Sequence, residues 1–322
     1  MYVSTDALLR SLPDIPDVME KLQSGAYRLW GGVVRHAAGT EKAGQIVGHL
    51  LFPGDSQQTQ LRLQQLQSTL EKGLGSLQDG MGQLQQSMGV LQGLQSANLV
   101  MSGLNLAVTA AGFVIVCKKL NKISDQIQSQ SKLIEQTYAL AKEVHDHNIL
   151  NDEAQFRSLI LAAQQFCEQG DVEHLKGLIA PFHKEYQLTK LVLEKHAAFA
   201  ASCVVRLPEI TLLQDRLVNL GLTLSHVQMR TGSVKYSRES MVQLESDIKG
   251  LNARRIEVLT SNSSIASTIK HDQFTHMTNF LRQGKQMLPA LTYQADVIEL
   301  EARHPGLLQQ ASESKEIVML AA

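Results

Sequence analysis

The segment "EVHDHNILNDE", Glu143 to Glu153, gathers two histidines and four acids, the densest set of metal-ligating side chains in the chain. A zinc-binding helix needs its two histidines four residues apart, so that both rings leave the same face. His145 and His147 are two apart and point away from each other on a helix, so the segment reads as a solvated helix end. "HKEYQLTK" (183–190) and "IKHDQFTH" (269–276) read as solvated faces as well. Short Gly/Ser clusters such as "GLGS" lack the Lys-Ser/Thr ending of a phosphate loop. A GxSxG nucleophile elbow does not occur. Serine, histidine and aspartate are plentiful, but their spacing assembles no triad. Cys117, Cys167 and Cys203 stand far apart in apolar surroundings without a CxxC pair, which reads as buried, reduced thiols. The expectation is a protein without a catalytic residue, metal or cofactor.

Helices and strands must therefore carry the function. The chain has 322 residues, 19% of them charged and 5% aromatic, with a net charge of −1. That balance supplies no field for nucleic acid, and no Lys/Arg tract follows a phosphate backbone. Abundant Leu, Gln, Ala and Ser favour helices over sheets. The start, "MYVSTDALLRSLPD", has no basic region followed by an apolar one, so a secretion signal is not expected there.

Three regions follow from the pattern. Residues 1–55 form a small N-terminal region, with a β-hairpin expected from Tyr27 to His36 and Gln45 to Phe52, closed by Pro53-Gly54. Residues 56–150 read as a long antiparallel helical hairpin, because Leu70, Leu74, Leu77, Met81, Leu84, Met88 and Leu91 step by fours and threes. Residues 151–322 read as a helical bundle, with segments at 152–168, 171–206, 208–230, 237–260, 262–284 and 288–303. Pro208 and Pro289 are placed at helix starts, and the tail from Pro305 is weakly specified. The fold expected is mainly α, with β structure confined to the first 55 residues.

Within the long hairpin, a strip of small residues recurs every seven positions, at Gly75, Gly82, Gly89, Ser96, Gly103 and Ala110. Glycine costs about 1 kcal/mol against alanine inside a helix, so the repeat needs a cause. Close helix packing is one, and a bend that folds the helix back is another.

The same stretch lacks charge. From Gly80 to Cys117, 38 residues contain no Asp, Glu, Lys, Arg or His, where a solvent-facing helix of this composition would carry about seven charges. Glutamines dominate the early part and apolar residues the end. Leu99, Val100, Leu104, Leu106, Val108, Phe113, Val114, Ile115 and Val116 together supply roughly −3 to −5 kcal/mol toward insertion into a bilayer. Ser102, Asn105, Thr109, Gly103 and Gly112 oppose it. Such a marginal sum suits a helix that is hidden first and inserted later, with Lys118, Lys119 and Lys122 at the headgroups. The alternative is that 96–117 is a buried core helix, which is also apolar all round.

On the apolar segment "NLVMSGLNLAVTAAGFVIVCKK" between long amphipathic helices, the layout of residues 56–150 and the bundle after them resembles the α-helical pore-forming toxins and related bacterial membrane-perforating effectors. The resemblance is architectural and rests on no catalytic motif. It implies an apolar hairpin buried in a bundle, assembly into a homo-oligomer, and insertion into lipid on activation, with a protein partner as a candidate activator. Without a secretion signal, a cytoplasmic effector that associates with membrane conditionally fits better, as in bacterial antiphage defence. The rival expectation is a soluble coiled-coil adaptor that uses the seam at 70–91 to bind a partner.

Overall fold

The computed structural model of the chain describes residues 9–30, 32–53, 56–75, 143–261 and 269–321. These fall in two compact units, one built from residues 9–75 and 289–321, the other from 143–288. The fold is mainly helical, as the periodicity predicts, but it also holds a five-stranded antiparallel sheet where only a hairpin was expected.

The first unit holds the sheet. Its strands are β1 (Leu9–Ser11), β2 (Tyr27–Trp30), β3 (Val33–His36), β4 (Ile46–Leu51) and β5 (Val318–Ala321), in the order β1-β5-β4-β3-β2, every neighbour antiparallel. The expected hairpin is thus only part of a larger sheet. Residues 27–36 are two strands, because Trp30 pairs directly with Val33 and the chain reverses between them. Gly32 makes this possible with φ of +89°. A Cβ there would also stand 2.7 Å from the Tyr293 ring.

The larger correction is β5, since strand structure was expected only in the first 55 residues. The tail residues Ile317, Val318, Met319 and Leu320 are all buried. A strand buried on both faces reads as a continuous apolar run, so the alternation that marks a half-exposed strand is missing. Gly48 faces Ala321 across the β4–β5 pair, and a Cβ at 48 would come within 2.7 Å of the Leu320 carbonyl oxygen.

Around the sheet lie helices α1 (Pro16–Gln23) and α2 (Ser56–Gly75), and, from the far end of the chain, the part of α8 (His271–Arg303) beyond Leu288, with α9 (Leu307–Glu313). One core joins Leu12, Leu22, Leu29, Val34, Leu50, Leu51, Phe52, Tyr293, Val297 and Leu307. The Tyr293 hydroxyl donates to the Leu50 carbonyl at 2.6 Å. Arg62 of α2 holds the approach to β5 by an ion pair to Glu316 (2.7 Å) and a bond to the Lys315 carbonyl (3.0 Å). Glu301 caps α9, accepting from the backbone N–H groups of Gly306 and Leu308, each at 2.8 Å.

The second unit contains α3 (Glu143–Gln169), α4 (Val172–Ala197), α5 (Ala200–Val205), α6 (Leu207–Arg230), α7 (Val234–Ser261) and α8 up to Leu288. Asp171 caps α4 by accepting from the His174 N–H at 3.1 Å, and that bond holds its carboxyl below the usual range. The expected 171–206 helix breaks at Phe199, whose backbone is extended, giving α4 and α5. Pro208 lies in the first turn of α6, as expected. Pro289, expected at a helix start, lies inside α8 instead, so 288–303 continues the preceding helix.

From Leu217 to Val227 α6 is buried at nearly every position, which makes it the central helix, packed against α4 and α7. It carries buried polar side chains at Gln214, Asn219, Thr223, Ser225, His226 and Gln228. Ser225 and Ser237 cross-bond α6 to α7: each hydroxyl reaches the other residue's carbonyl, at 2.9 and 2.8 Å. Both serines are fully buried, and the mutual bonds satisfy their hydroxyls there.

Candidate functional site

The residues expected to meet lipid, Leu99, Leu104, Leu106, Val108, Phe113, Val114, Ile115 and Val116, lie outside the described residues, as do Lys118, Lys119 and Lys122. Of the small-residue strip, Gly82, Gly89 and Gly103 also lie outside them, and Gly75 is the last residue of α2. The expected burial of Leu104, Val108, Phe113 and Ile115 against the bundle falls on the same undescribed stretch. No helix among the described residues is long and apolar enough to cross a membrane.

The segment 143–153 is helical, the opening of α3. Among the described residues no group of His, Cys, Asp or Glu has the geometry to hold a metal. Cys167 and Cys203 are buried and free, and Cys117 lies outside the described residues. "IKHDQFTH" is largely exposed, but "HKEYQLTK" is not the solvated face expected of it, because Glu185, Tyr186 and Thr189 are buried.

Those buried polar groups form two ion clusters. The Tyr186 hydroxyl donates to Asp247 Oδ2 at 2.8 Å, while Lys190 Nζ and Gln243 Nε2 reach Oδ1 at 2.8 and 2.7 Å. Burial, with the Asp247 charge added, drives the Tyr186 hydroxyl well above its usual pKa, so it stays protonated and acts as a donor. Glu185 pairs with Arg216 of α6 at 3.2 Å, and the Arg216 guanidinium lies 4.9 Å from the Phe156 ring centre. Each cluster ties helices together with its charges matched.

Arg255 differs. It is 0% exposed, and its Nη1 donates to Gln214 Oε1 (2.7 Å) and Asn252 Oδ1 (2.8 Å). Its guanidinium carbon lies 5.0 Å from the Phe280 ring centre, and Nε and Nη2 have no hydrogen-bond partner. Burial pulls its pKa down to about 10, and nearby Cys203 only weakly opposes this. The Cys203 thiol is itself pushed up by burial and bonds to the His196 carbonyl at 3.5 Å, so it is a poor nucleophile. The sequence reading missed Arg255, although a signal existed. Met241, Leu244, Ile248 and Leu251 step by three, four and three along α7, and the next step of four lands on Arg255 rather than Arg254.

In the first unit an open groove of about 1100 Å³ runs beside α1, α2 and the approach to β5. Glu20 and Gln23 line one wall, and Arg62, Gln64, Gln65 and Thr69 the other. Apolar side chains, Met19, Leu61 and Leu66 among them, share the lining, and Arg62 is already bound to Glu316 and the Lys315 carbonyl.

Comparison with known proteins finds no matching family model, no similar curated protein and no similar solved structure.

Proposed function

We propose that this protein is a membrane-active helical effector, which assembles with copies of itself and inserts residues 96–117 to permeabilise a bilayer. The observation that carries the reading is the charge-free run from Gly80 to Cys117, falling from glutamine-rich to apolar and ending on three lysines. A helix that lines an aqueous path in lipid needs that sequence of properties: small residues for packing and uncharged polar groups toward water. The need for self-association is consistent with an apolar stripe left exposed on α4. Leu188, Leu191 and Val192 lie on one face, spaced by three and four, with Leu191 59% exposed.

The same stripe favours a second reading, a soluble adaptor whose α4 face is covered by a protein partner. Dye release from liposomes, with size-exclusion chromatography before and after lipid exposure, separates the two. The insertion reading expects release and a larger species only with lipid. Gly103→Glu should abolish release, because an acid near the helix centre costs roughly 2.5–3.5 kcal/mol, comparable to the whole driving force. A Gly103→Glu protein that keeps wild-type helicity by circular dichroism and still releases dye at the wild-type rate refutes insertion. Absence of release together with a lipid-independent complex supports the adaptor.

A further inference from the structure

The β2–β3 pair contains an arrangement that sheets ordinarily avoid. Arg28 sits directly opposite Arg35 in the register, and the two side chains leave the same face. Like charges directly opposed across a strand pair are destabilising. Neither arginine makes an ion pair among the described residues. Arg35 Nη1 donates to the Gly44 carbonyl at 3.3 Å, which holds the head in place, while its Nε is buried without a hydrogen-bond partner. The Arg28 guanidinium carbon lies 5.7 Å from the centre of the Trp30 ring, and Trp30 is 45% exposed.

Arg28, Trp30, Val33 and Arg35 line a cavity of about 230 Å³, whose other wall includes Asp296 of α8. That volume is below the range of about 300–1,000 Å³ that takes a whole small ligand, so it suits the head of one. Asp296 is turned toward His49, with Oδ2 3.8 Å from Nε2, and stands as a lone carboxylate opposite the two guanidiniums.

We propose that this cavity binds the phosphate head of a small phosphomonoester between Arg28 and Arg35, the remainder of the ligand leaving across Trp30. Two guanidiniums present donors in the planar geometry that phosphate oxygens accept, and with Asp296 in the wall the cavity keeps a net positive charge. A polyphosphate or nucleic-acid strand would bring a second anionic group toward Asp296, so the site selects one phosphate. The exposed indole offers a flat apolar surface for whatever the phosphate carries. The proposal is independent of the membrane reading, since it uses residues of the first unit alone.

Trp30 is the only tryptophan of the chain and lines this cavity, so its emission in the folded protein reports on it. The full chain is titrated with inorganic phosphate and with glycerol phosphate, at ionic strength held constant by chloride, with acetate and pyrophosphate as comparison arms. The expected result is a saturable change in emission with phosphate and glycerol phosphate. Arg35→Gln should weaken it at least about tenfold. Arg10→Gln, an exposed position on β1 at the opposite edge of the sheet, should leave it unchanged. Arg35 is the decisive position, because Arg28→Gln also removes the cation beside the indole and alters the starting emission. The proposal is overturned by any of three results. These are no saturable response to either phosphate, a folded Arg35→Gln protein that titrates like wild type, or a tighter response to acetate or pyrophosphate than to phosphate.

Discussion

Removing one anchor of a buried cation should cost more than removing the cation afterwards, and Gln214→Leu tests this. Arg255 has two hydrogen-bond acceptors, Gln214 Oε1 and Asn252 Oδ1, both at Nη1. Burial holds its pKa down at about 10, below the ordinary arginine value, so the charged form already costs the fold about 3 kcal/mol at neutral pH. The sign follows from proton binding: the unfolded chain holds the proton more tightly, so this cost is relieved only as pH rises past about 10. Gln214→Leu removes a charge-assisted bond worth about 1.5–3 kcal/mol, and added apolar burial returns about 0.8 kcal/mol. The net expectation is a loss of about 1–2 kcal/mol.

Arg255→Met alone relieves the desolvated charge but orphans two buried acceptors, at about 1–3 kcal/mol each, so it should be neutral to destabilising. In the Gln214→Leu background only Asn252 is orphaned. There, Arg255→Met should restore up to about 2 kcal/mol, a coupling of about 1–3 kcal/mol between the sites, the cost of the one acceptor no longer orphaned. The assay is urea denaturation of the four proteins, followed by far-UV circular dichroism. If Gln214→Leu is stabilising, or the two substitutions add within about 0.5 kcal/mol, Arg255 is not the unsatisfied cation described.

Two further predictions concern the turn at the sheet edge and the acid range. Gly32 and Gly39 both have positive φ, but a Cβ at 32 meets the Tyr293 ring at 2.7 Å whereas one at 39 meets nothing within 4 Å. Gly39→Ala should therefore cost the backbone term of about 1–2 kcal/mol, and Gly32→Ala at least about 1 kcal/mol more, read by urea denaturation followed through Trp30 emission. Burial lowers the His196 pKa more than Glu209 at 3.7 Å raises it, with Arg206, Lys195 and Arg255 adding to the lowering. The unfolded chain then takes up the proton first, so the His196 contribution to stability is present above about pH 6.5 and lost as pH falls toward the lower folded value. His196→Gln should flatten the decline in urea midpoint between about pH 7 and pH 5, and an unchanged slope would count against it.

How far the fold could be read from sequence depended on whether a residue's partner was close along the chain. The helices of the second unit follow from apolar spacing within single segments, and β2 to β4 lie within one stretch of the first 55 residues. Two adjacent glycines, Gly31 and Gly32, inside an apolar run were the available sign that 27–36 reverses on itself. β5 carried no such sign, because its partners β1 and β4 lie about 270 residues or more away and both of its faces are buried. The end of α8 was read as bundle for a similar reason. Tyr293 and Val297 continue a helical stripe, and nothing local says that the surface they cover is a sheet.

The two arginine sites show what sequence leaves open even when the element is right. Arg255 falls on the apolar stripe of α7, and the fold compensates it in part through Gln214, Asn252 and the Phe280 face. A charge so accommodated marks a cost carried by the architecture. Arg28 and Arg35 become a pair only once the β2–β3 register is known, and Asp296, the acid in their cavity, is directed to His49 instead. Local rules that a fold breaks without internal compensation concentrate at functional sites. By that criterion Arg255 belongs to stability and the Arg28–Arg35 pair to recognition. The two assays should therefore separate: Gln214→Leu should lower the unfolding midpoint without altering phosphate titration, and Arg35→Gln should weaken the titration while moving the midpoint only by the small cross-strand contribution of about 0.2–1 kcal/mol.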